Sequence, residues 1–432
     1  MNIQETYVTD ALAYHAQAPA GKLRICPTKP LHTQQDLALA YSPGVAAPSE
    51  AIAKDKRKIY EYTAKGNLVG IVSDGTAVLG LGNVGPEAAK PVMEGKAVLL
   101  KKFAGIDAFD IELATQSPTE VIQAITAIAP TFGAINLEDI KAPACFEIEE
   151  TLRERLQIPI MHDDQHGTAI VVAAALRNAL TLAHKDIRHA RVVMHGAGAG
   201  AIACAKLLLA LGVAPTHMTL CDSQGVIRKD RPVLHPSKAA FATDRPIYTL
   251  QEAIRDQDVF IGLSKADVLT QAQVRSMAKQ PIIFALANPN PEISYEAAKA
   301  ARPDVIIATG RSDYPNQINN VLSFPYIFRG ALDVQATQIN EAMKLAAVEA
   351  LAELAQQPVP ASVEEAYGQQ GLSFGEAYLL PKPFDPRLLA LVSTAVAQAA
   401  IHTGVAMQPI QDWTAYRERL AKLVTHEETL RR

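Results

Sequence analysis

Acidic side chains end two short apolar runs that lie about twenty residues apart in the sequence. The INLEDI run supplies Glu138 and Asp139, and the IPIMHDD run supplies Asp163 and Asp164. Adjacent carboxylates repel one another, and each is costly to desolvate without a partner. A hard divalent cation, which prefers oxygen ligands, stabilises such a group. The sequence therefore predicts a Mg²⁺ or Mn²⁺ site formed by Glu138, Asp139 and Asp164.

The histidines of the HDDQH motif allow a different metal. His162 and His166 stand four residues apart, as zinc ligands on a helix do. However, the glutamate that follows the first histidine in helical zinc motifs is missing, and the preceding IPIM run predicts a strand. We therefore favour Mg²⁺ or Mn²⁺ over zinc. Glu147 is a further carboxylate that we expect near the same strand ends.

A glycine-rich turn, GAGAGA, follows an apolar run and precedes a long apolar helical pattern. In this arrangement Gly196 makes the tight turn, Gly198 lets the backbone approach a pyrophosphate, and Ala201 allows close helix packing. The N-terminus of the following helix offers free N–H groups to the phosphates. The sequence predicts a dinucleotide site at this turn, formed by Gly196, Gly198, Ala199, Gly200 and Ala201.

The next apolar run ends on an acidic residue, Asp222, followed by Ser223, 26 residues after the first glycine of the turn. An acid at this place typically binds the unphosphorylated ribose of NAD. Three cations, Arg228, Lys229 and Arg231, follow closely and could instead bind the 2′-phosphate of NADP. The residues alone leave the choice between NAD and NADP open.

Lysine and asparagine side chains near these motifs could act on a substrate. The segment GKAVLLKK predicts a helix with Lys96 near its start. A helix N-terminus disfavours the ammonium form of a lysine, which a general base requires. The asparagines of LANPNPE and DYPNQINNVL lie at apparent strand ends and could hold a substrate carboxylate, although asparagine in a turn usually only shapes the turn.

The composition is that of a globular protein with two to three domains in 432 residues. A net charge of −4 argues against nucleic-acid binding. The four cysteines form no CxxC pair, which favours reduced thiols and a cytoplasmic location. We expect no membrane association, because the N-terminus lacks an apolar signal-peptide core and no apolar run reaches the roughly 18 residues of a membrane helix.

Apolar runs alternate with helical patterns along most of the chain, which predicts α/β architecture with parallel sheets. The later strands, separated by helices, are typical of a doubly wound nucleotide-binding sheet. The expected strands lie in NLVGIVSDG, DAFDIEL, INLEDI and IPIMHDD, and then in RVVMH, THMTLCDS, VFIGLS, PIIFALANP and DVIIATG.

We expect two domains. Residues 1–161 would form an α/β domain that binds substrate and metal, and residues 162–432 a Rossmann-type NAD(P)-binding domain with a helical C-terminal extension. The second part would begin with a helix from Thr168 to about His184. Helical patterns also cover 340–356 and 387–404, with a loop richer in proline and glycine, roughly 358–386, between them.

In their order along the chain, the motifs resemble those of the malic enzymes. The resemblance covers nearly the whole sequence and is closest to the bacterial short-subunit type. It includes the catalytic part of hybrid malic enzymes, whose phosphotransacetylase-like domain we do not expect here because the sequence stops at ETLRR. The motifs that carry it are YSPGV, DGTAVLGLGN, EGKAVL, INLEDI, HDDQHGTA, LANPNPE and GRSDYPNQINN.

The resemblance implies metal-dependent oxidative decarboxylation of (S)-malate to pyruvate and CO₂ with NADP⁺ or NAD⁺. It favours NADP⁺, because the hybrid class mostly uses that nucleotide. Tyr41 would be the general acid and Lys96 the general base, with Asp163 as the partner of the lysine. The implied contacts to malate come from Thr76, Asn288, Asn319 and Asn320, and Asn288 would also contact the cofactor.

The resemblance also implies a homodimer or larger homo-oligomer, in which a neighbouring protomer can contribute to the active-site cleft. Tyr41 and Lys96 need not then serve the same site. One departure is Ala77, which stands where larger-subunit malic enzymes carry an arginine, so the grip on the distal malate carboxylate stays open. Two alternative functions are dehydrogenation of another 2-hydroxy acid without decarboxylation and a regulator that binds nucleotide without chemistry.

Overall fold

The computed structural model describes residues 3–78 and 80–429. The strands are β1 Leu68–Ser73, β2 Asp107–Glu112, β3 Ala134–Leu137, β4 Ile160–His162, β5 Val192–His195, β6 Met218–Asp222, β7 Gly225–Val226, β8 Val259–Gly262, β9 Ile282–Ala285 and β10 Ile306–Thr309. The helices are α1 Ile3–Ala16, α2 Gln34–Ala40, α3 Ala46–Lys54, α4 Ile59–Tyr62, α5 Pro86–Ala104, α6 Pro118–Ile128, α7 Ala144–Arg155, α8 Asp163–Leu182, α9 Ala199–Leu211, α10 Pro236–Ala239, α11 Leu250–Ile254, α12 Gln271–Arg275, α13 Tyr295–Ala301, α14 Phe324–Asp333, α15 Glu341–Ala355, α16 Ala361–Tyr367, α17 Arg387–His402 and α18 Trp413–Thr429.

The first sheet is parallel throughout, with the strand order β2-β1-β3-β4. Leu137, the last residue of β3, pairs with His162, the last residue of β4. The residues that follow these two strands therefore leave the sheet side by side at its carboxyl edge. This register brings the two acidic segments of the sequence together.

The second sheet has the order β10-β9-β8-β5-β6-β7 and is parallel except for β7. Five of its strands are those expected from the sequence, and the chain order reverses next to β5, as in a doubly wound sheet. The short antiparallel β7 was not expected, because two residues after a turn carry no periodic signal. The predicted α/β fold class is confirmed.

Helix α8 begins at Asp163, five residues before the expected start at Thr168. The segment DDQHG has no apolar periodicity, so its helical state could not be read from hydrophobicity. Acidic side chains in a first turn are nevertheless favourable, because they face the positive end of the helix dipole. As a consequence, Asp163 and Asp164 are held on a rigid helix turn.

Helix α5 begins at Pro86, well before the expected start at Gly95. Proline is favoured at the first helical position, and Gly85 ahead of it has φ +84°. Lys96 therefore lies in the middle of a helix, so the expectation that it lies near a helix start is wrong. The expected loop 358–386 likewise contains a short helix, α16.

The C-terminal helices pack on both parts of the chain. Helix α15 contacts α8, whereas α14 and α18 contact α5, next to the first sheet. One large apolar cluster extends from Val69 in β1 to Leu420 in α18. A domain boundary at residue 161 remains a proposal. Within the described residues, no helix combines the length and the apolar character that crossing a bilayer requires.

Candidate active site

The carboxyl edge of the first sheet gathers three acidic side chains. Oxygen atoms of Glu138, Asp139 and Asp164 all lie within 4.8 Å of one another. Asp139 has φ +53°, and its N–H donates to Asp164 Oδ2 at 2.8 Å, while its carbonyl accepts from Ala77 N–H at 2.8 Å. The segment after β3 is thus folded back toward the first turn of α8, which places the three carboxylates around one point.

The charge of this group favours a cation. Glu138, Asp139 and the neighbouring Asp163 are all buried. The ammonium group of Lys96 contacts Glu138 and Asp163. Burial raises the pKa of Glu138, and the charge of Asp164 adds to the effect. Three oxygen donors that carry excess negative charge match the ligands of Mg²⁺ or Mn²⁺. The residues present therefore fit a divalent cation.

Lys96 lies between two acids beside this group. Its ammonium donates to Asp163 Oδ2, lies 3.0 Å from Glu138 Oε1 and sits 4.6 Å from the centre of the Phe324 ring. Burial alone would lower the pKa of Lys96, but Asp163 and Glu138 outweigh it and hold the pKa above its ordinary value. The predicted depression of this pKa by a helix N-terminus is therefore wrong. A cation bound to Glu138 would offset part of the negative charge that stabilises the ammonium form of Lys96.

Asp163 is fully buried and positions the lysine. Its Oδ2 accepts from Lys96 and, at 2.6 Å, from Asn320 Nδ2, whereas Oδ1 has no hydrogen-bond partner among the described residues. Burial and the charge of Glu138 raise the pKa of Asp163 to about 7, although Lys96 opposes the shift. Oδ1 points at Gly167, where an added Cβ atom would lie only 1.9 Å away.

Gly167→Ala should therefore cost activity despite the higher helix propensity of alanine. The new methyl group displaces the Asp163 carboxylate and with it Lys96, and a misplacement of about 1 Å typically lowers the rate about a hundredfold. We expect kcat/KM for malate to fall by that order. Gly95→Ala is the matched control, since its Cβ would contact only Lys22 Nζ at 3.4 Å. Unchanged kcat/KM in Gly167→Ala would show that Asp163 does not position the lysine.

Glu149, which the sequence did not single out, holds the segment that carries Asp163 and Asp164. Its Oε1 accepts from His162 N–H at 3.0 Å, and its Oε2 accepts from Gln165 Nε2 at 3.1 Å and His166 Nε2 at 2.9 Å. Burial would raise the pKa of Glu149, but the two histidines outweigh it and lower the pKa to about 2. Glu147, the acid expected near the strand ends, is instead exposed in the first turn of α7.

The histidines of HDDQH contact different groups. His162 Nε2 lies 3.1 Å from Ile140 O, whereas His166 Nε2 bonds Glu149. Over the described part of the chain, the group of three or more potential metal ligands consists of Glu138, Asp139 and Asp164, without either histidine. This geometry does not support the zinc alternative.

The polar residues expected to contact malate lie close to the acids, but their side chains already have partners. Thr76 Oγ1 donates to Asp74 Oδ1 at 2.6 Å and accepts from Lys141 N–H at 3.0 Å, so it fixes the segment after β3. Asn319 Oδ1 caps the 3₁₀ turn at Asn320–Leu322 by accepting from Val321 N–H. Asn320 holds Asp163, and thus acts on the lysine's partner.

Asn288 lies where loops from both sheets meet. A Cβ atom added to Gly310 would lie 3.3 Å from Asn288 Nδ2, and one added to Gly80 would lie 3.1 Å from Asn288 O. Gly80 belongs to the loop after β1, whereas Asn288 and Gly310 follow β9 and β10. Asn288 is exposed in this crevice, which leaves its amide accessible to substrate or cofactor.

The glycine turn brings the second sheet to the acidic group. Gly196 has φ +124°, and a Cβ there would lie 2.4 Å from Leu263 O, whereas Gly198 faces open space. Ala199 opens α9, and Ala201 is buried. A Cβ at Gly200 would lie 3.0 Å from Asp164 O, so the N-terminal turn of α9 touches the first turn of α8. The glycine turn that the sequence predicts to bind phosphate therefore adjoins the acids.

Two cations neutralise the acid at the end of β6. Arg231 Nη1 and Lys238 Nζ each lie 2.9 Å from Asp222 Oδ2, and Oδ1 accepts from Gln224 N–H. Burial would raise the pKa of Asp222, but Arg231 and Lys238 outweigh it and lower the pKa to about 2. Ser223 beside it is exposed. Lys238, sixteen residues further along the chain, was not among the expected residues.

The other two candidate cations for a 2′-phosphate are held elsewhere. Arg228 pairs with Asp230 and lies over the Tyr248 ring, and Lys229 pairs with Asp244. Of the three cations expected from the sequence, Arg231 is the one that contacts Asp222.

Tyr41 does not join the site formed by its own chain. Its side chain is 70 % exposed and makes no hydrogen bond within the described residues. The structure thus brings together Lys96, Asp163 and the three acids, but leaves the expected general acid on the surface.

Comparison with known proteins shows the family of the chain. Residues 20–121 and 115–153 match the family model described as "Malic enzyme, N-terminal domain", and residues 165–365 match "Malic enzyme, NAD binding domain". The NADP-dependent malic enzyme of Halomonas elongata is 57% identical over 92% of this chain and 94% of its own length. The chain belongs to the malic enzyme family.

Other family members show the same likeness. The NADP-dependent malic enzyme of Salmonella typhimurium is 57% identical over 98% of this chain, yet this chain spans 56% of that relative. The chain thus covers about half the length of several curated relatives and nearly all of the Halomonas protein. The crystal structure of malic enzyme from Pyrococcus horikoshii has a TM-score of 0.90 at 42% identity and covers 98% of this chain and 97% of its own.

Proposed function

We propose that this chain catalyses the oxidative decarboxylation of (S)-malate to pyruvate and CO₂ with reduction of NADP⁺. The observation that carries the proposal is the contact between the first turns of α8 and α9, because it sets the acidic group of Asp164 beside the glycine turn. The names of relatives that are more than half identical over nearly the whole chain support it.

The chain's own residues supply positioning and proton transfer. Glu138, Asp139 and Asp164 would hold Mg²⁺ or Mn²⁺, which as a Lewis acid polarises the oxygen on C2 of malate. Lys96, as the neutral amine, takes the C2 hydroxyl proton as hydride leaves for the nicotinamide, and Asp163 holds the ammonium group that forms. After loss of CO₂ from C4, Tyr41 protonates C3. Asn288 orients malate at the mouth of the crevice, and the Asn319–Asn320 pair would contact the substrate with the amide atoms that do not bond Val321 or Asp163.

We infer that Tyr41 serves the site of a second copy of the chain. The N-terminal segment exposes large apolar side chains, among them Ile25 at 84 % and Leu39 at 68 %, and apolar surface on this scale marks an interaction site. Helices α2 and α3 contain no buried residue. A homodimer in which this segment covers the partner's cleft would bury that surface and deliver Tyr41.

We propose NADP⁺ as the preferred nucleotide because of the charges around Asp222. Arg231 and Lys238 convert a site that would repel a 2′-phosphate into one with an excess of one positive charge. Arg231 also donates to the carbonyls of Gly225 and Val226, so it is fixed in place, whereas within the described residues the Lys238 ammonium contacts Asp222 alone and could turn from it toward the phosphate.

Lys238→Ala should weaken NADP⁺ selectively. A hydrogen bond to a charged group contributes about 1.5–3 kcal/mol, so we expect the KM for NADP⁺ to rise about tenfold or more while the KM for NAD⁺ stays nearly constant. Initial rates with both nucleotides measure this. Lys229→Ala, which removes a nearby cation that pairs with Asp244, is the control. Equal changes for both nucleotides would remove Lys238 from the 2′-phosphate site.

A spectrophotometric assay tests the function as a whole. With Mn²⁺ present, malate should drive reduction of NADP⁺, and pyruvate and CO₂ should form in equal amounts. Reduction without CO₂ would point instead to a dehydrogenase that does not decarboxylate its substrate. No malate-dependent reduction of either nucleotide would end the proposal.

A further inference from the structure

A second cavity lies behind the acidic group, between α7, α8, α9 and α15. It measures about 240 Å³ and is lined by none of the residues assigned above to metal, malate or nucleotide. Each of three helices contributes one cation to its wall: Arg153 from α7, Lys206 from α9 and Lys344 from α15. Three acids, Glu149, Glu150 and Glu341, line the same cavity, so what matters is whether they pair with these cations.

These cations lack carboxylate partners. Within the described residues, Arg153, Lys206 and Lys344 form no ion pair, and Arg153 Nε is buried without a hydrogen-bond partner. Lys344 Nζ lies 3.2 Å from His166 Nδ1, a neutral acceptor when the other ring nitrogen donates to Glu149. Burial, together with the charges of Arg153 and Lys206, lowers the pKa of Lys344 to about 8, although Glu149 and Glu341 oppose the shift.

Among the described residues, none of the cavity's acids, Glu149, Glu150 and Glu341, forms an ion pair with these cations. Both oxygens of Glu149 already accept hydrogen bonds from the segment 162–166. Glu150 and Glu341 are exposed, where water screens their charge. A buried guanidinium nitrogen without an acceptor and a half-buried ammonium without an ion-pair partner are both unfavourable. An anion that enters the cavity would satisfy both.

We propose that this cavity binds a small oxyanion of two negative charges, of the sulfate or phosphate type. Arg153 and Lys344 would bind it from opposite walls, and Lys206 would close the site at the surface. Guanidinium and ammonium groups are the usual protein ligands of such tetrahedral anions. The inference concerns a site separate from the proposed reaction and does not depend on turnover.

An anion bound in this cavity would affect the acidic group of Glu138, Asp139 and Asp164 through a series of side-chain contacts. Lys344 contacts His166, His166 bonds Glu149, and Glu149 accepts from the backbone of His162. Asp163 and Asp164 lie between these two histidines. An anion that draws Lys344 away from His166 alters the support of this segment. By linkage, the anion and the divalent cation should then change each other's affinity by the same factor.

Calorimetric titration of the full chain with sodium sulfate tests the site. The experiment is done with saturating NADP⁺, so that the nucleotide's own phosphate sites are filled, and with sodium chloride at matched ionic strength as the reference. We expect one saturable site per chain. Arg153→Gln should weaken sulfate binding tenfold or more, and Lys206→Gln, at an exposed position that the fold tolerates, should weaken it in the same direction.

Arg155→Gln is the matched control, because Arg155 lies on the same helix but is exposed and outside the cavity. It should bind sulfate like the parent chain. An absence of saturable binding, or equal binding by the Arg153→Gln, Lys206→Gln and Arg155→Gln variants, would overturn the proposal. An absence of malate-dependent activity in the parent chain would contradict the proposed function, but the sulfate titration would remain a valid test of the anion site.

Discussion

Lys96→Ala is expected to lower kcat at least about a thousandfold, with little change in nucleotide affinity. General-base catalysis alone contributes about 10²–10⁴ to a rate, and the same change also leaves Glu138 and Asp163 buried without their ammonium partner. The proposed nucleotide site lies at the first turn of α9, whereas the contacts of Lys96 are with Glu138, Asp163 and Phe324. Steady-state rates and the fluorescence titration of NADPH measure the two quantities separately.

Two further variants separate chemistry from folding. Lys96→Gln keeps a hydrogen-bond donor for Asp163 but cannot accept a proton, so it should fold like the parent chain and still lose turnover. Lys101→Ala removes a lysine from the same helix whose ion pair with Asp107 is exposed, and such pairs contribute little to stability. If Lys96→Gln kept full activity, Lys96 would not be the base.

Mixed dimers are expected to recover activity from two inactive parents. The Tyr41→Phe variant lacks the general acid and the Lys96→Ala variant lacks the general base, so the homodimer of either variant should be nearly inactive. If Tyr41 serves the partner's site, a heterodimer contains one site with both residues intact. Random assortment of equal amounts then restores about a quarter of the parent activity, because half of the dimers are mixed and each has one working site.

The same mixture distinguishes the alternative arrangement. If Tyr41 and Lys96 of one chain formed a site together, every site of a mixed dimer would lack one residue, and no activity would return. A mixture of Tyr41→Phe with the double variant Tyr41→Phe/Lys96→Ala is the negative control. Co-expression of two differently tagged chains, followed by purification of the doubly tagged dimer, gives the measurement, and this purified heterodimer should show about half of the parent activity.

The sequence was a good guide to the fold because strands and turns have local signals. Alternating apolar runs predicted nine of the strands, and the GAGAGA turn lies where a strand meets a helix, as expected. The parallel pairing of β3 with β4 then makes the two acidic segments neighbours. The register of the β3–β4 pairing is known only from the structure, because no local sequence signal contains it.

The errors at the site have a common cause. The start of α5 at Pro86 and that of α8 at Asp163 are set by proline, glycine and acidic residues, not by apolar periodicity, so both helices are longer than expected. Lys96 consequently gains its environment from Asp163 and Glu138 and not from a helix end. The difference matters, because it reverses the expected direction of the pKa shift.

Residues that position other site residues were the hardest to predict from the sequence. Glu149 contacts the segment of Asp163 and Asp164 from another helix, and Lys238 reaches Asp222 from the short helix α10, sixteen residues further along the chain. Neither belongs to a motif. Gly167 could have been noticed, since a glycine inside a helix costs stability and therefore needs a structural reason. That reason, the carboxylate of Asp163, appears only in three dimensions.

The most direct test of the central proposal is the location of the metal. Crystals of the full chain grown with Mn²⁺ and NADP⁺ should show one strong anomalous scattering peak within bonding distance of Glu138, Asp139 and Asp164, on the side facing the nicotinamide. A peak held by His162 and His166, or no peak among the three acids at a Mn²⁺ concentration that supports turnover, would contradict the account.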